Sequence, residues 1–294
     1  MELVNYIGEK ERLYGKNGDK SLEYIGITVN NSGIKKKLYQ KPVGKNVDEV
    51  YRTFPYSIMI TKYLSRFTAQ KEVSVCDYSE SSVNGRHTYR VIFKFPRQLS
   101  FEDSKRCIDS FFCDLNRDDV KAEIENNLQN VVPALGFEFS PLLQIGVEFD
   151  KDINILGIKY YLNLKASPYE RVEPSEAFLE KIRTVFKYKG DDLYRLVQTC
   201  RFGYNPIFVG VNVYPDINIS EYKIYMISDY MGRDDDGLLE NTKKMFSANG
   251  WDTVLDDKAL RRIHSMDLFV EGIAYTLDRA DEYRLYLNYL PRRR

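Results

Sequence analysis

The strongest constraint in this 294-residue chain is a strand, a turn and a returning strand that recur five times, with a basic residue at a comparable place in each returning strand. The first unit runs Leu22 to Val29, turns at Asn30-Asn31-Ser32-Gly33 and returns as Ile34 to Tyr39. A short Asn/Gly turn between alternating runs is the signature of a β-hairpin. The others span Val73 to Phe95 around Asn84-Gly85, Leu143 to Lys165 around Asp150-Lys151-Asp152, Pro206 to Ser228 around Pro215-Asp216-Ile217-Asn218, and Met266 to Leu290 around Asp278-Arg279-Ala280-Asp281. Their basic residues, Lys37, Arg90, Lys159, Lys223 and Arg284, are separated by 53, 69, 64 and 61 positions, the period of a repeated supersecondary unit.

Helical stretches lie between the hairpins. Ser100 precedes Glu102 and Asp103 at a helix start, followed by Ile108, Phe111, Phe112 and Leu115 at helical spacing. Asp118-Asp119 opens a second helix through Val120, Ile124 and Leu128, and comparable segments cover 48–67, 174–186, 191–200, 237–246 and 256–263. Hairpins separated by helices keep neighbouring strands antiparallel. The expected fold is therefore α+β, a closed ten-stranded antiparallel β-barrel with helices outside, built from five ββα-type repeats as a single domain over residues 1–294. Closed barrels often exceed the usual domain size, so the length agrees with one unit, and closure removes exposed strand edges.

Alternation along a strand sorts the residues by face. Lys159, Tyr161 and Asn163 share one face, as do Lys223 and Tyr225, then Arg284, Tyr286 and Asn288; Arg90 goes with Lys94, and Lys37 with Lys35 and Tyr39. The opposite faces carry Ile158, Tyr160, Leu162, Ile224, Met226 and Leu285, suited to helix packing, which leaves the cations and tyrosines for the lumen. Tyrosine is abundant, 23 residues against 16 Phe and one Trp, and it combines an apolar body with a polar tip.

A cationic lumen is costly unless an anion enters it. A diphosphate fits: Lys and Arg would hold its oxygens by charge-assisted hydrogen bonds, and tyrosine faces beside them would stabilise an allylic carbocation as the carbon–oxygen bond breaks. Glu23, on the first strand with Ile25 and Ile27 on its face, is either a general base that removes the proton displaced by alkylation or an ordinary ion-pair partner of Lys37.

The residues resemble those of the ABBA-fold prenyltransferases, and within them the peptide-modifying enzymes of cyanobactin biosynthesis. Ser21-Leu22-Glu23 with Gly33 to Tyr39 is similar to that family's first hairpin, Leu143 to Phe149 with Lys159-Tyr160-Tyr161 to a central one, and Arg262 to Ser265 with Tyr283 to Tyr289 to the closing one. The resemblance implies transfer of dimethylallyl or geranyl from its diphosphate to a side chain of a macrocyclic peptide, helped by Mg2+ bound mainly through the diphosphate. It implies Glu23 as general base, Lys37, Arg90, Lys159, Lys223 and Arg284 as diphosphate ligands, and Tyr161, Tyr225 and Tyr286 as cation-shielding residues. Arg90 and Lys94 compete for one of those roles. Ile207 and Phe208 are candidates for limiting donor chain length. Two other readings stay open: the same chemistry on a free indole or phenol, and a non-enzymatic barrel that binds an anion.

The rest of the chain bounds these readings. Lys and Arg together number 43, as do Asp and Glu, so no bulk field attracts nucleic acid. Cys76, Cys107, Cys113 and Cys200 are scattered and read as reduced, mostly buried thiols; with His87 and His264 they make no zinc site, and no protein-held metal is expected. Asp234-Asp235-Asp236-Gly237 reads as a loop before a helix. Neither a signal peptide nor an apolar span is apparent, so a monomeric, cytoplasmic protein with no membrane partner is expected.

Overall fold

A computed structural model describes residues 22–30, 33–40, 74–83, most of 86–164, 175–185, 200–214, 219–228, 235–248, 268–277 and 283–289; for 22–40 and 74–83 it describes the backbone alone. Ten strands are present: β1 (Leu22–Asn30), β2 (Gly33–Gln40), β3 (Ser74–Val83), β4 (Arg86–Lys94), β5 (Leu142–Asp150), β6 (Ile155–Asn163), β7 (Tyr204–Tyr214), β8 (Ile219–Ser228), β9 (Leu268–Thr276) and β10 (Tyr283–Tyr289). Four helices are described: α1 (Phe101–Phe112), α2 (Asp118–Leu135), α3 (Glu176–Val185) and α4 (Asp235–Ala248). The expected helices over 48–67, 191–200 and 256–263 lie almost wholly outside the described residues.

Every strand pairs antiparallel with its sequence neighbours, and β1 also pairs with β10, so one curled sheet has a hydrogen-bonded order that closes on itself. The turns form where the sequence supplies their chemistry. In the third hairpin Asp150 Oδ1 accepts from the amides of Asp152 and Asn154, each at 2.9 Å, so the carboxylate organises the reversal.

Two apolar layers separate along the barrel wall. The larger lies outside, where Val91, Phe93, Tyr160, Leu162, Val211 and Met226 of the strands meet Ile108, Phe111, Ile124, Ile182 and Phe246 of the helices. Burying each such side chain contributes roughly 1.5–3 kcal/mol. Helix α1 starts where Ser100 accepts from the Asp103 amide at 3.1 Å. Helix α2 ends at Gly136, whose φ of 69° is the left-handed cap that glycine adopts freely. Tyr160 is fully buried, but its hydroxyl reaches α2, accepting from Asn127 and donating to Glu123 at 3.1 Å. Tyr204 does the same from β7 to Thr242 of α4 at 3.1 Å.

The second, smaller layer is inside the barrel: Ile92, Tyr161, Tyr225 and Ala274, with Leu143, Phe208 and Tyr286 packed against them. One expectation needs correction. Of the three described cysteines only Cys107 is buried, whereas Cys113 is exposed and Cys200 intermediate, because Cys113 caps the solvent-facing end of α1 and only Cys107 lies on its apolar stripe. Among the described residues no helix is long and apolar enough to cross a membrane.

Candidate active site

The pairing register explains how five cations from distant parts of the chain reach one level. Arg90 lies opposite Glu148, next to Gly157, two residues before Lys159. Lys159 lies opposite Asn212, which faces Glu221, two residues before Lys223. Arg284 lies opposite Thr28, which faces Lys35, two before Lys37; and Lys37 passes through Ser81 to Thr88, two before Arg90. Each hairpin steps the row by two residues, and the tilt of strands in a barrel converts that stagger into a level ring.

On the described returning strands the next residues on that face, two further along, are Ile92, Tyr161, Tyr225 and Tyr286; two beyond the first three come Lys94, Asn163 and Ile227. The lumen is therefore layered: cations near the hairpin turns, aromatic rings behind them, and a mixed polar layer toward the connections between hairpins.

Lys159 is the centre of the cationic layer, only 2% exposed. Its Nζ donates to the Tyr225 hydroxyl and sits 5.0 Å from the Tyr161 ring centroid and 4.9 Å from that of Tyr225. Burial holds its pKa well below the usual lysine range, and the cations Arg90, Lys223 and Arg284 add to that effect, while Glu221 opposes it. The lysine stem reaches this position over Gly210, where an added Cβ would stand 2.7 Å from Lys159 Cε and 2.8 Å from Tyr225 Cε2.

Two carboxylates that the sequence reading passed over sit among the cations. Glu148 pairs with Arg90. Glu221 lies 3.1 Å from Lys223, accepts from Asn212 Nδ2 at 2.7 Å and is 3.4 Å from the Tyr214 hydroxyl. The Tyr214 residue is partly exposed at 37%, yet its hydroxyl is enclosed; that burial, and then the charge of Glu221, push its pKa up to about 12. Strict alternation could have found Glu221, which is two residues before Lys223 on the same face.

The aromatic layer is continuous. Phe208 stacks on Tyr225 at 4.6 Å and meets Tyr161 edge-on at 5.5 Å, and Tyr225 lies 5.7 Å from Tyr161 and 5.8 Å from Tyr286. Tyr286 is only partly enclosed as a residue, but its hydroxyl is buried, which with Tyr225 keeps its pKa well above the usual phenol value.

The structure thus brings together Arg90, Lys159, Lys223, Tyr161, Tyr225 and Tyr286, with the charge of Arg284 acting on Lys159. Lys37 holds the equivalent backbone position in the ring; its side chain, and those of Glu23 and Ile207, lie outside the described residues. Arg90 pairs with Glu148, and Lys94 lies four residues further along β4, opposite Gln144. In β1, Thr28 is paired with Arg284 and Gly26 with Tyr286. At Glu23 the pairing jumps from Leu22 opposite Gln40 to Tyr24 opposite Tyr39, and this one-residue bulge breaks the alternation there.

Among the described residues no three His, Cys, Asp or Glu side chains gather, and Glu148 and Glu221 each face a cation.

No protein-family model and no curated protein matches the sequence. Solved structures do. AnaPT from Neosartorya fischeri is similar at a TM-score of 0.60 and 12% identity over 91% of this chain and 78% of that one. NotF prenyltransferase is similar at 0.58 and 11%, over 92% and 80%. A 6-dimethylallyltryptophan synthase from Micromonospora olivasterospora, in complex with DMASPP and Trp, is similar at 0.59 and 12%, over 92% and 82%. At these identities what the chain shares with them is the fold, an antiparallel barrel with helices packed against its outer face.

Proposed function

We propose that the chain is a prenyltransferase that moves a dimethylallyl group from its diphosphate to a small aromatic acceptor. The observation that carries this reading is Lys159, buried among cations and flanked by two tyrosine rings at 4.9 and 5.0 Å. A merely structural lysine is not kept among like charges. Similarity to structures with a dimethylallyl analogue and tryptophan supports the small aromatic acceptor over the macrocyclic peptide of the sequence resemblance.

In this reading Lys37, Arg90, Lys159, Lys223 and Arg284 hold the diphosphate oxygens. The carbon–oxygen bond of the donor breaks, its electron pair leaves with the diphosphate, and Tyr161, Tyr225 and Tyr286 shield the allylic cation. A ring carbon or heteroatom of the acceptor supplies the pair for the new bond, and Glu23 takes the proton that the acceptor loses. Magnesium enters, if at all, as the counter-ion of the diphosphate, since the carboxylates present are engaged with cations. Phe208, stacked on Tyr225, narrows the lumen behind the cations and favours a five-carbon over a ten-carbon donor.

The test is incubation with magnesium and dimethylallyl or geranyl diphosphate against indoles, phenols, aromatic amino acids and cyclic peptides, read by intact mass. Addition of one isoprene unit to a small aromatic is expected. Glu23→Gln should lose most turnover while inorganic pyrophosphate binding persists. Donor binding with no alkylation of any acceptor would instead establish an anion-binding barrel.

A further inference from the structure

A lumen that carries several cations must compensate them before the donor arrives and after its diphosphate departs, because an uncompensated buried charge is strongly disfavoured. Carboxylates of the same layer take that part. Lys223, 4% exposed, lies 3.1 Å from Glu221, itself 9% exposed, and Arg90 pairs with Glu148 of the neighbouring strand. The two carboxylates stand at one level of the barrel, since the charges of Glu221, Arg90, Glu148 and Arg284 all act on the Tyr214 hydroxyl.

Glu221 is held in a way that an ordinary ion-pair partner is not. It stands two residues before Lys223 on β8 and opposite Asn212 of β7. The oxygen that meets Lys223, Oε2, also accepts from Asn212 Nδ2 at 2.7 Å and from the Tyr214 hydroxyl at 3.4 Å. The Tyr214 ring lies over Gly157, where an added Cβ would stand 3.7 Å from Tyr214 Cδ1. With its pKa pushed up to about 12, this hydroxyl keeps its proton and remains a donor. Two neutral donors therefore satisfy the carboxylate whether or not Lys223 is attached to it, whereas a lysine so enclosed needs an anion in either state. Glu221 can give up the lysine without becoming a bare buried charge.

We propose that Glu221 is the resident competitor for Lys223: it neutralises the lysine before the donor binds, yields it to the diphosphate, and takes it back once the prenyl group has moved, so that pyrophosphate leaves. Glu148 stands in the same relation to Arg90. The inference rests on the prenyl-transfer reading and deepens its donor site. Glu221 acts through Lys223 and is a positioning residue, one that loosens the hold on the anion and speeds turnover where product departure sets the rate. A glutamate that only fixed the geometry of the lysine would have the opposite effect, since its removal would weaken anion binding.

The experiment measures the affinity of the full chain for inorganic pyrophosphate by calorimetry and its dissociation rate by rapid dilution, at constant ionic strength. Glu221→Gln should bind roughly tenfold more tightly through slower dissociation, and Glu221→Asp, which keeps the charge, should restore most of the parent's weaker binding. Tyr214→Phe removes one of the neutral donors, leaves Glu221 more dependent on Lys223, and should weaken pyrophosphate binding. That opposite sign carries the test even if Glu221→Gln does not fold. A folded Glu221→Gln protein that binds no more tightly than the parent, or a Tyr214→Phe protein that binds no more weakly, overturns the role of Glu221 while the donor site stands. A parent protein that binds no pyrophosphate overturns the donor site, and this role with it.

Discussion

Gly210→Ala tests the packing on which the cationic layer depends. Nothing in the backbone opposes the change, since Gly210 does not adopt a left-handed conformation, but the new methyl would stand 2.7 Å from Lys159 Cε and 2.8 Å from Tyr225 Cε2. Both distances are shorter than carbon atoms tolerate, and Lys159 and Tyr225 are enclosed at 2% and 5% exposure, so either the strands are strained or one of the two side chains shifts. Overpacking of this kind costs about 1–3 kcal/mol, offset by the roughly 0.5–1 kcal/mol by which glycine weakens a strand. The net expectation is a melting temperature lower by a few degrees. If Lys159 yields instead, its charge-assisted bond to the diphosphate is lost, about 1.5–3 kcal/mol, or roughly 10- to 100-fold in Kd for pyrophosphate. Calorimetric titration with pyrophosphate and thermal unfolding read the two effects separately. Gly146→Ala is the comparator, because its added methyl would meet Ile92 at 3.4 Å and Arg90 at 3.5 Å, and it should change both readings little. A Gly210→Ala protein with the parent's stability and pyrophosphate affinity would refute the placement of Lys159 over this glycine.

Other expectations follow from the same geometry. Because burial and like charges lower the Lys159 pKa and a bound diphosphate must raise it again, donor binding should take up a proton, and affinity should fall as pH rises above about 8, where the phosphates themselves are fully ionised; calorimetry in buffers of different ionisation heat measures the uptake, and Lys159→Met should abolish it. Tyr214, raised to about 12, keeps in the native state a proton that the unfolded chain releases near pH 10, so stability falls between those values and Tyr214→Phe should remove that part of the fall, followed by phenolate absorbance and denaturant unfolding. Tyr160→Phe should cost about 1–3 kcal/mol by leaving Asn127 without its partner at the barrel–helix seam, with the product pattern unchanged.

The hairpins were legible because turn chemistry and alternation are local. The turns at 84–85 and 150–152 fall between the observed strands, and helix α4 begins only two residues before the expected Gly237, where Asp235 and Asp236 join its first turn. Bulges were not legible, since one extra residue changes no composition. They include those at Glu23, Cys76, Leu143 and Ile207, and at Leu143 the bulge turns an outward position into one that packs with the lumen rings. The carboxylates among the cations were hidden for another reason. Glu221 was within reach of alternation along β8, but Glu148 becomes visible only when the returning strand β4 is aligned with the outgoing strand β5 beside it, which requires the register. That register also separated Lys94 from Arg90, two residues that sequence alone left as rivals.

Under the proposed transfer, the staggered closure of the sheet sets donor and acceptor against different parts of the chain, the donor nearer the hairpin reversals. The far layer adjoins the long segments joining one hairpin to the next, where insertions and substitutions are tolerated. If the proposed transfer holds, selection for a new acceptor should accumulate its mutations at that mouth of the barrel.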